Sequence, residues 1–272
     1  MMVDAHCHIW RPARGDYGWL TPALGAIHRD VTVEDWWQQA APCGVHGALL
    51  VQAAPTEAET AFLLEQADGD GRVLGVVGWA DLLAADAPRR IERLAANPKL
   101  KGLRPMLQDI VDADWIVQPA LRPALEAMVA QGLVFDALIK PQHLPRIRTL
   151  CERHPTLQVV IDHGAKPAIG TGHASAWQPW ADEIARIASQ TNAVCKLSGL
   201  LTEAGPAPRV DAARRWIDHL VASFGTARLL WGSDWPVLER AGAGYRDWWT
   251  ECRTVIADEA VFGANARRIY RV

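Results

Sequence analysis

Near its start the chain reads Val3-Asp4-Ala5-His6-Cys7-His8-Ile9-Trp10, two histidines inside a run that otherwise has the apolar and aromatic make-up of a buried strand. Side chains alternate along a strand, so His6 and His8 share one face and Cys7 takes the other. Imidazole can move a proton near neutral pH, steady a developing oxyanion or bind a divalent metal. Nine histidines scattered over 272 positions give such a pair by chance about 0.3 times, so the motif needs partners. Two later strand-like runs supply them: 157–163 ends in Asp162-His163-Gly164, and 228–234 leads into Gly232-Ser233-Asp234-Trp235-Pro236. Burying a carboxylate beside three imidazoles is costly unless each is paired or binds an ion. His6, His8, His163 and Asp234 are therefore the candidate catalytic set, and the same four are the candidate ligands if a single divalent ion is bound.

Such a set needs elements that bring distant segments together. Eight short apolar runs qualify as strands: 3–10, 47–52, 73–79, 100–106, 132–139, 157–163, 193–198 and 228–234. Nearly continuous apolar character suits parallel strands covered by helices. Thr56-Glu57-Ala58-Glu59 and Thr32-Val33-Glu34-Asp35 read as helix starts of the capping-box type, and Asp86 as a cap before Pro88. Gly132 and Gly225 read as helix ends, with further helices expected around 142–153, 176–190 and 245–257. Eight βα alternations predict an α/β fold, a (β/α)₈ TIM-like barrel over residues 1–272 as one domain, with an open doubly wound sheet as the alternative. In a barrel, active sites gather at the C-terminal ends of the strands, where His6, His8, His163 and Asp234 would meet. The long Gly- and Pro-containing stretch 11–31 follows the first strand and is expected to form a loop over the mouth as a lid.

Composition narrows the partners. Half the residues are hydrophobic and 22% are charged, with a formal net charge of -3 and no basic run, which disfavours nucleic acid and anionic membrane surfaces. Five scattered cysteines without a Cys-x-x-Cys pair read as free thiols, and no signal-like or membrane-spanning stretch is evident, so a cytoplasmic protein is expected. There is no Gly-x-Ser-x-Gly elbow, no P-loop and no three-glycine dinucleotide loop, since Gly170-Thr171-Gly172 and Gly242-Ala243-Gly244 both fall short; no nucleotide cofactor is expected.

The ordered motifs Asp4-Ala5-His6-Cys7-His8-Ile9-Trp10, Gly102-Leu103-Arg104, Ile161 to Pro167, Lys196-Leu197-Ser198-Gly199-Leu200 and Trp231 to Pro236 resemble the amidohydrolase superfamily. Within it they resemble the amidohydrolase-2 type lactonases of the L-fuconolactonase, L-rhamnonolactonase and pyrone-dicarboxylate lactonase group. The resemblance implies a lactonase that opens a sugar lactone of the L-fucono or L-rhamnono kind, in sugar catabolism, with a small-molecule substrate. Two-metal members carry a bridging lysine or carboxylate on strand 4 and a histidine on strand 5. Here those strands offer Arg104, and Phe135 with Asp136, so a binuclear centre is not expected. The cofactor expectation is none required, as in lactonases of this type, or one zinc-like divalent ion at His6, His8, His163 and Asp234.

On this reading Asp234 takes a proton from water attacking the lactone carbonyl and returns it to the leaving alkoxide, while the three histidines orient water and carbonyl. Arg104 would bind the carbonyl or the product carboxylate. Gln52, Asp81, Asp136, Lys196 and Ser198 would bind ring hydroxyls, and Trp10, Trp79 and Trp235 would form a wall against the sugar face. A single arginine at a strand end argues for a neutral sugar lactone over a dicarboxylated one. His28 is placed in the loop; His46, His154, His173 and His219 are read as surface or helix-end residues. The rival readings are a metal-dependent decarboxylase of the same superfamily and a non-catalytic sugar-binding barrel. Oligomeric state is not legible.

Overall fold

The computed structural model describes residues 1–170, 174–206 and 211–272, so Thr171, Gly172 and His173 lie outside the described residues. All eight expected strands form: β1 (Met2–Cys7), β2 (Val45–Val51), β3 (Val73–Gly78), β4 (Leu100–Leu103), β5 (Val134–Ala137), β6 (Val159–Ile161), β7 (Val194–Leu197) and β8 (Leu229–Trp231). They pair in parallel in the order β1 to β8. The two edges then approach each other. His8 N–H donates to Trp235 O at 2.8 Å and Asp234 N–H to His6 O at 2.8 Å, which makes a nearly closed barrel and excludes the doubly wound alternative.

That seam is fastened by one buried carboxylate. Asp4 accepts hydrogen bonds from Ser233 N at 2.8 Å, Ser233 Oγ at 2.6 Å, Trp36 Nε1 at 3.1 Å and Tyr245 OH at 3.0 Å. Between Asp4 and Cys7 the pairing of β1 with β2 slips by one residue. Such a bulge re-aims the side chains that follow it. Val3 and Ala5 belong to the inner core cluster, and the bulge lets His6 and His8 also face the lumen while Cys7 joins the outer core. The inner cluster continues with Leu49, Val51, Val77, Val134, Val160, Val194 and Leu230, and is plugged from below by Ile269 and Tyr270 of the C-terminal helix.

Most strands end earlier than the apolar runs suggested: β4 stops before Arg104, β6 before Asp162 and β8 before Gly232. The helices that follow them are α1 (Val33–Ala40), α2 (Glu57–Gly69), α3 (Ala87–Ala95), α4 (Arg122–Ala130), α5 (Leu144–Arg153), α6 (Ala174–Gln190), α7 (Leu200–Glu203), α8 (Arg214–Phe224), α9 (Tyr245–Val255) and α10 (Ala264–Tyr270). Thr32 and Asp35 form the full reciprocal cap of α1. At α2 only half of the expected box forms, because Thr56 Oγ1 accepts from Glu59 N but the Glu59 carboxylate turns away to Ala53 N. Asp86 makes no cap; its carboxylate takes Arg90 Nε at 2.7 Å instead. Among the described residues no helix is long and apolar enough to cross a membrane. All five cysteines are free and buried.

The loop 11–31 is a packed wall, with Tyr17, Leu20, Ile27 and Val31 buried and an antiparallel bridge joining Trp10 to Val31 at its base. Behind it Glu59 is fully buried, with Oε1 on Ala53 N at 2.9 Å and Oε2 lacking a partner. Burial, opposed by the backbone hydrogen bonds, pushes its carboxyl up to about 8. The folded group thus stays protonated where the unfolded one, near 4.5, has ionised. Its contribution to stability is full below pH 4.5 and is lost as pH rises to about 8, on the order of 3 to 5 kcal/mol in all. Glu59→Gln is expected to flatten this slope. Thermal melts at pH 5 and pH 8.5 check it, the variant losing less stability between the two than the parent.

Candidate active site

The barrel interior changes from apolar to polar one layer above Val134, Val160 and Val194. Two residues further along the same strands stand Asp136, Asp162 and Lys196, all fully buried. Lys196 Nζ pairs closely with Asp136 and lies 3.1 Å from Asp162 Oδ1, while Tyr270 OH donates to Asp136 Oδ1 at 2.7 Å. Burial raises the Asp136 carboxyl to about 6 against the pull of Lys196. Burial acts the same way on Asp162, but Lys196, His6 and Arg104 outweigh it and hold that carboxyl well below the usual range.

On this floor stand the three imidazoles and Asp234. Asp234 Oδ1 lies 3.3 Å from His8 Nε2, 3.6 Å from His6 Nε2 and 3.9 Å from His163 Nε2. His8 Nδ1–H donates to Val51 O at 2.7 Å, which turns Nε2 toward Asp234. His6 is gripped from below, with Lys196 Nζ at 3.3 Å from Nδ1, and flanked by Arg104 Nη1 at 3.4 Å from Nε2. His163 Nδ1 shares a 2.9 Å hydrogen bond with Ser198 Oγ, and a hydroxyl can serve as donor or acceptor there, so either tautomer of the ring is supported. Burial lowers His6 well below its ordinary value and takes His163 to about 4. Burial would raise Asp234, but His163, His8 and His6 outweigh it and hold the carboxyl below its ordinary range. At neutral pH the Asp234 carboxylate is therefore ionised, and the His6 and His163 rings beside it are neutral.

The backbone works to aim these groups. His163, Gly164, Ala165 and Lys166 have φ of 54°, 56°, 64° and 49°, and Asp234 has φ 55°. Non-glycine residues reach this region rarely and at a cost of order 1 kcal/mol or more each, which is typical of residues whose direction matters. Trp180 Nε1 holds the turn by donating to Gly164 O at 2.7 Å. Gly199 is required beside it: at φ +63° a Cβ would stand 2.5 Å from His163 Nδ1 and 3.1 Å from Asp234 Oδ2.

Above the cluster opens a pocket of about 250 Å³ into which His8, His163, Asp234 and Arg104 project. Arg104 is only 3% exposed; Nη1 lies 3.3 Å from Asp162 Oδ2 and Nη2 donates to Gln52 O. Several expected ligand contacts lie elsewhere. Gln52 is fully buried and donates to Arg104 O at 2.8 Å, so it supports the arginine. Asp136 and Lys196 face each other beneath the histidines, away from the pocket. Trp10 is fully buried behind His8, with ring centroids 6.2 Å apart, its N–H spent on Ile27 O and Arg29 O. Trp235 is drawn into the barrel seam by its backbone and donates Nε1 to Glu239 at 2.8 Å. Trp79 and the exposed Asp81 line a neighbouring cavity instead. His28 is half-buried outside the pocket lining, and His219 packs between α8 and α6 on Trp177 and Trp180.

The wall expected of Trp10 and Trp235 is provided by Trp19, from the 11–31 loop, whose Nε1 donates to Ala53 O at 2.7 Å. Met106, Lys166 and Arg240 also reach the pocket, Lys166 lying 3.6 Å from Glu203. These sites were not legible because loops carry them. Asp162 was legible in principle, as the inward position two residues after Val160. With Lys166 and Arg240 at the mouth, the count of a single arginine no longer argues against an anionic ligand.

The donor set suits one divalent cation. Nitrogen and oxygen atoms of His6, His163 and Asp234 lie within 4.8 Å of one another, His8 Nε2 lies 3.3 Å from Asp234 Oδ1, and imidazole nitrogen with carboxylate oxygen is the ligand chemistry of zinc.

A family model described as amidohydrolase matches residues 3–272. The chain is 44% identical to an L-fucono-1,5-lactonase of Burkholderia ambifaria over 99% of this chain and 95% of that protein. It is 33% identical to an L-fucono-1,5-lactonase of Burkholderia multivorans over 99% and 96%. A crystal structure of an amidohydrolase from Burkholderia multivorans with bound zinc superposes with a TM-score of 0.90 at 32% identity, covering 100% of this chain and 99% of that one. A family match over residues 3–272 and 44% identity over 99% of the chain make it a member of the amidohydrolase family.

Proposed function

We propose that the protein hydrolyses a sugar δ-lactone, of the L-fucono-1,5-lactone kind, to the open hydroxy acid. The observation that carries this reading is the ionised Asp234, ringed by three imidazoles at the floor of a pocket of about 250 Å³. Relatives at 44% and 33% identity bear the name of that activity. Water held between Asp234 and the imidazoles attacks the ring carbonyl, and Asp234 receives its proton as the tetrahedral oxyanion forms. Arg104 and the N–H of a neutral imidazole face the developing charge. Collapse breaks the ring C–O bond, and Asp234 returns the proton to the leaving alkoxide, which is far more basic than the carboxylate. A carboxylate held so low does not keep the proton at rest, so it is free again after each cycle. The product is a carboxylate, which Arg240 and Lys166 at the mouth suit electrostatically.

His6, His8, His163 and Asp234 would hold a divalent ion. When bound, it would supply Lewis-acid polarisation of the carbonyl. Among the described residues the imidazoles at the pocket are these three, which does not favour the decarboxylase reading, since that chemistry uses one more beside the reacting carboxylate.

The test is a pH-indicator screen of aldono-1,5-lactones with the purified protein, before and after chelation. L-Fucono- or L-rhamnono-1,5-lactone is expected to give enzyme-dependent acidification. A folded protein that acidifies none of the lactones ends this reading.

A further inference from the structure

A second cavity of about 280 Å³ adjoins the catalytic pocket, and Met106 and Asp109 line both. Its remaining walls are mainly apolar, with Trp79, Leu82, Ile110 and Trp115, and only the exposed Asp81 and Asp109 add charge at its edge. Singly, cavities of about 250 and 280 Å³ fall below the usual range of small-molecule sites, roughly 300–1,000 Å³; joined, they fall within it. One of the two residues shared by the cavities is a methionine, unbranched and able to change rotamer at little cost. Met106 is half-buried, and its sulfur accepts a 3.2 Å hydrogen bond from Gln52 Nε2, the same amide that steadies Arg104. The ring faces of Trp79 and Trp115 offer contact area to a flat or aliphatic group, with no cation among the lining residues to attract an anionic one.

We propose that this annex is a subsite for an aliphatic or aromatic substituent on the lactone ring. The enzyme then opens δ-lactones with an apolar branch as well as sugar lactones, with the ring over Asp234 and the branch beyond Met106. The inference rests on the lactonase reading and extends its substrate class. The bonds made and broken in the hydrolytic step are unchanged, because the branch is carried on carbon and takes no part in them.

The test uses two probe series. In the first, hydrolysis of δ-valerolactones carrying hydrogen, methyl, propyl or pentyl beside the ring oxygen is followed by acidification. In the second, the matching δ-lactams, which are not hydrolysed, are titrated calorimetrically. Each methylene that enters the annex is expected to raise kcat/KM and lactam affinity by up to about fourfold. Trp115→Ala, which removes a wall of the annex and no wall of the catalytic pocket, is expected to flatten both series while unsubstituted valerolactone is opened at the parental rate. Ile110→Trp, which fills the annex, is expected to do the same. Series that are flat in the parent, or equally steep in the parent and both variants, overturn the annex. Loss of all lactone hydrolysis with the lactam series still steep overturns the lactonase reading and leaves the annex standing.

Discussion

Asp234→Asn is expected to fold as the parent does and to lose about 10³-fold or more in kcat. The amide keeps the volume and one acceptor oxygen but cannot take a proton from water or return it to the alkoxide. It also removes the carboxylate that faces all three imidazoles, so the loss falls on turnover and KM changes little. The measurement is steady-state lactone hydrolysis beside circular dichroism and a thermal melt. Unchanged turnover in a folded variant removes Asp234 from the chemistry, and retained sugar binding without turnover in the parent would favour a binding barrel.

The largest effect on stability is expected from Lys196→Met. Its ammonium is fully buried between Asp136 and Asp162, and taking it away leaves Asp136 without its counter-charge and Asp162 with Arg104 as its remaining cation. Breaking a buried pair from one side costs about 3–5 kcal/mol, which for a chain of this size lowers the melting temperature by roughly 10 °C. The penalty depends on pH in a direction that can be worked out. Burial already lifts Asp136 to about 6, and without Lys196 it rises further, so the group is neutral at pH 5 and costly when ionised at pH 8. Lys196→Met is therefore expected to be most destabilised at the higher pH, and Asp136→Asn in the same chain to recover much of the loss. Equal melts for parent and variant at pH 8 would show that the pair is not the brace described here.

The eight strands were found from their apolar runs because burial on both faces of a parallel barrel strand leaves a mark at each position. His6, His8, His163 and Asp234 stood out because polar groups at the ends of such runs need a reason. The three helices start where the spacing suggests, but their caps form only in part: Thr32 and Thr56 cap, whereas Glu59 and Asp86 find other partners, Ala53 N and Arg90. A cap competes with whatever the tertiary fold brings near, and one sequence does not display the competitor. The tryptophans failed for the same reason. Trp10, Trp79 and Trp235 were at strand ends, but the barrel seam took Trp235, the loop carbonyls took Trp10, and a loop tryptophan, Trp19, reached the pocket.

The eight strands, their alternation with helices and the strand ends that carry acid and imidazole are legible in the sequence alone, since hydrophobic periodicity and residue chemistry are local properties. Only the tertiary structure decided height and direction within the barrel. A one-residue bulge in β1 turns His6 inward, a left-handed backbone at His163 and Asp234 points them at a common centre, and the layering puts Lys196 and Asp136 beneath that centre. Those outcomes depend on how each strand is staggered against its neighbour, and stagger is set by pairing between segments far apart in the chain.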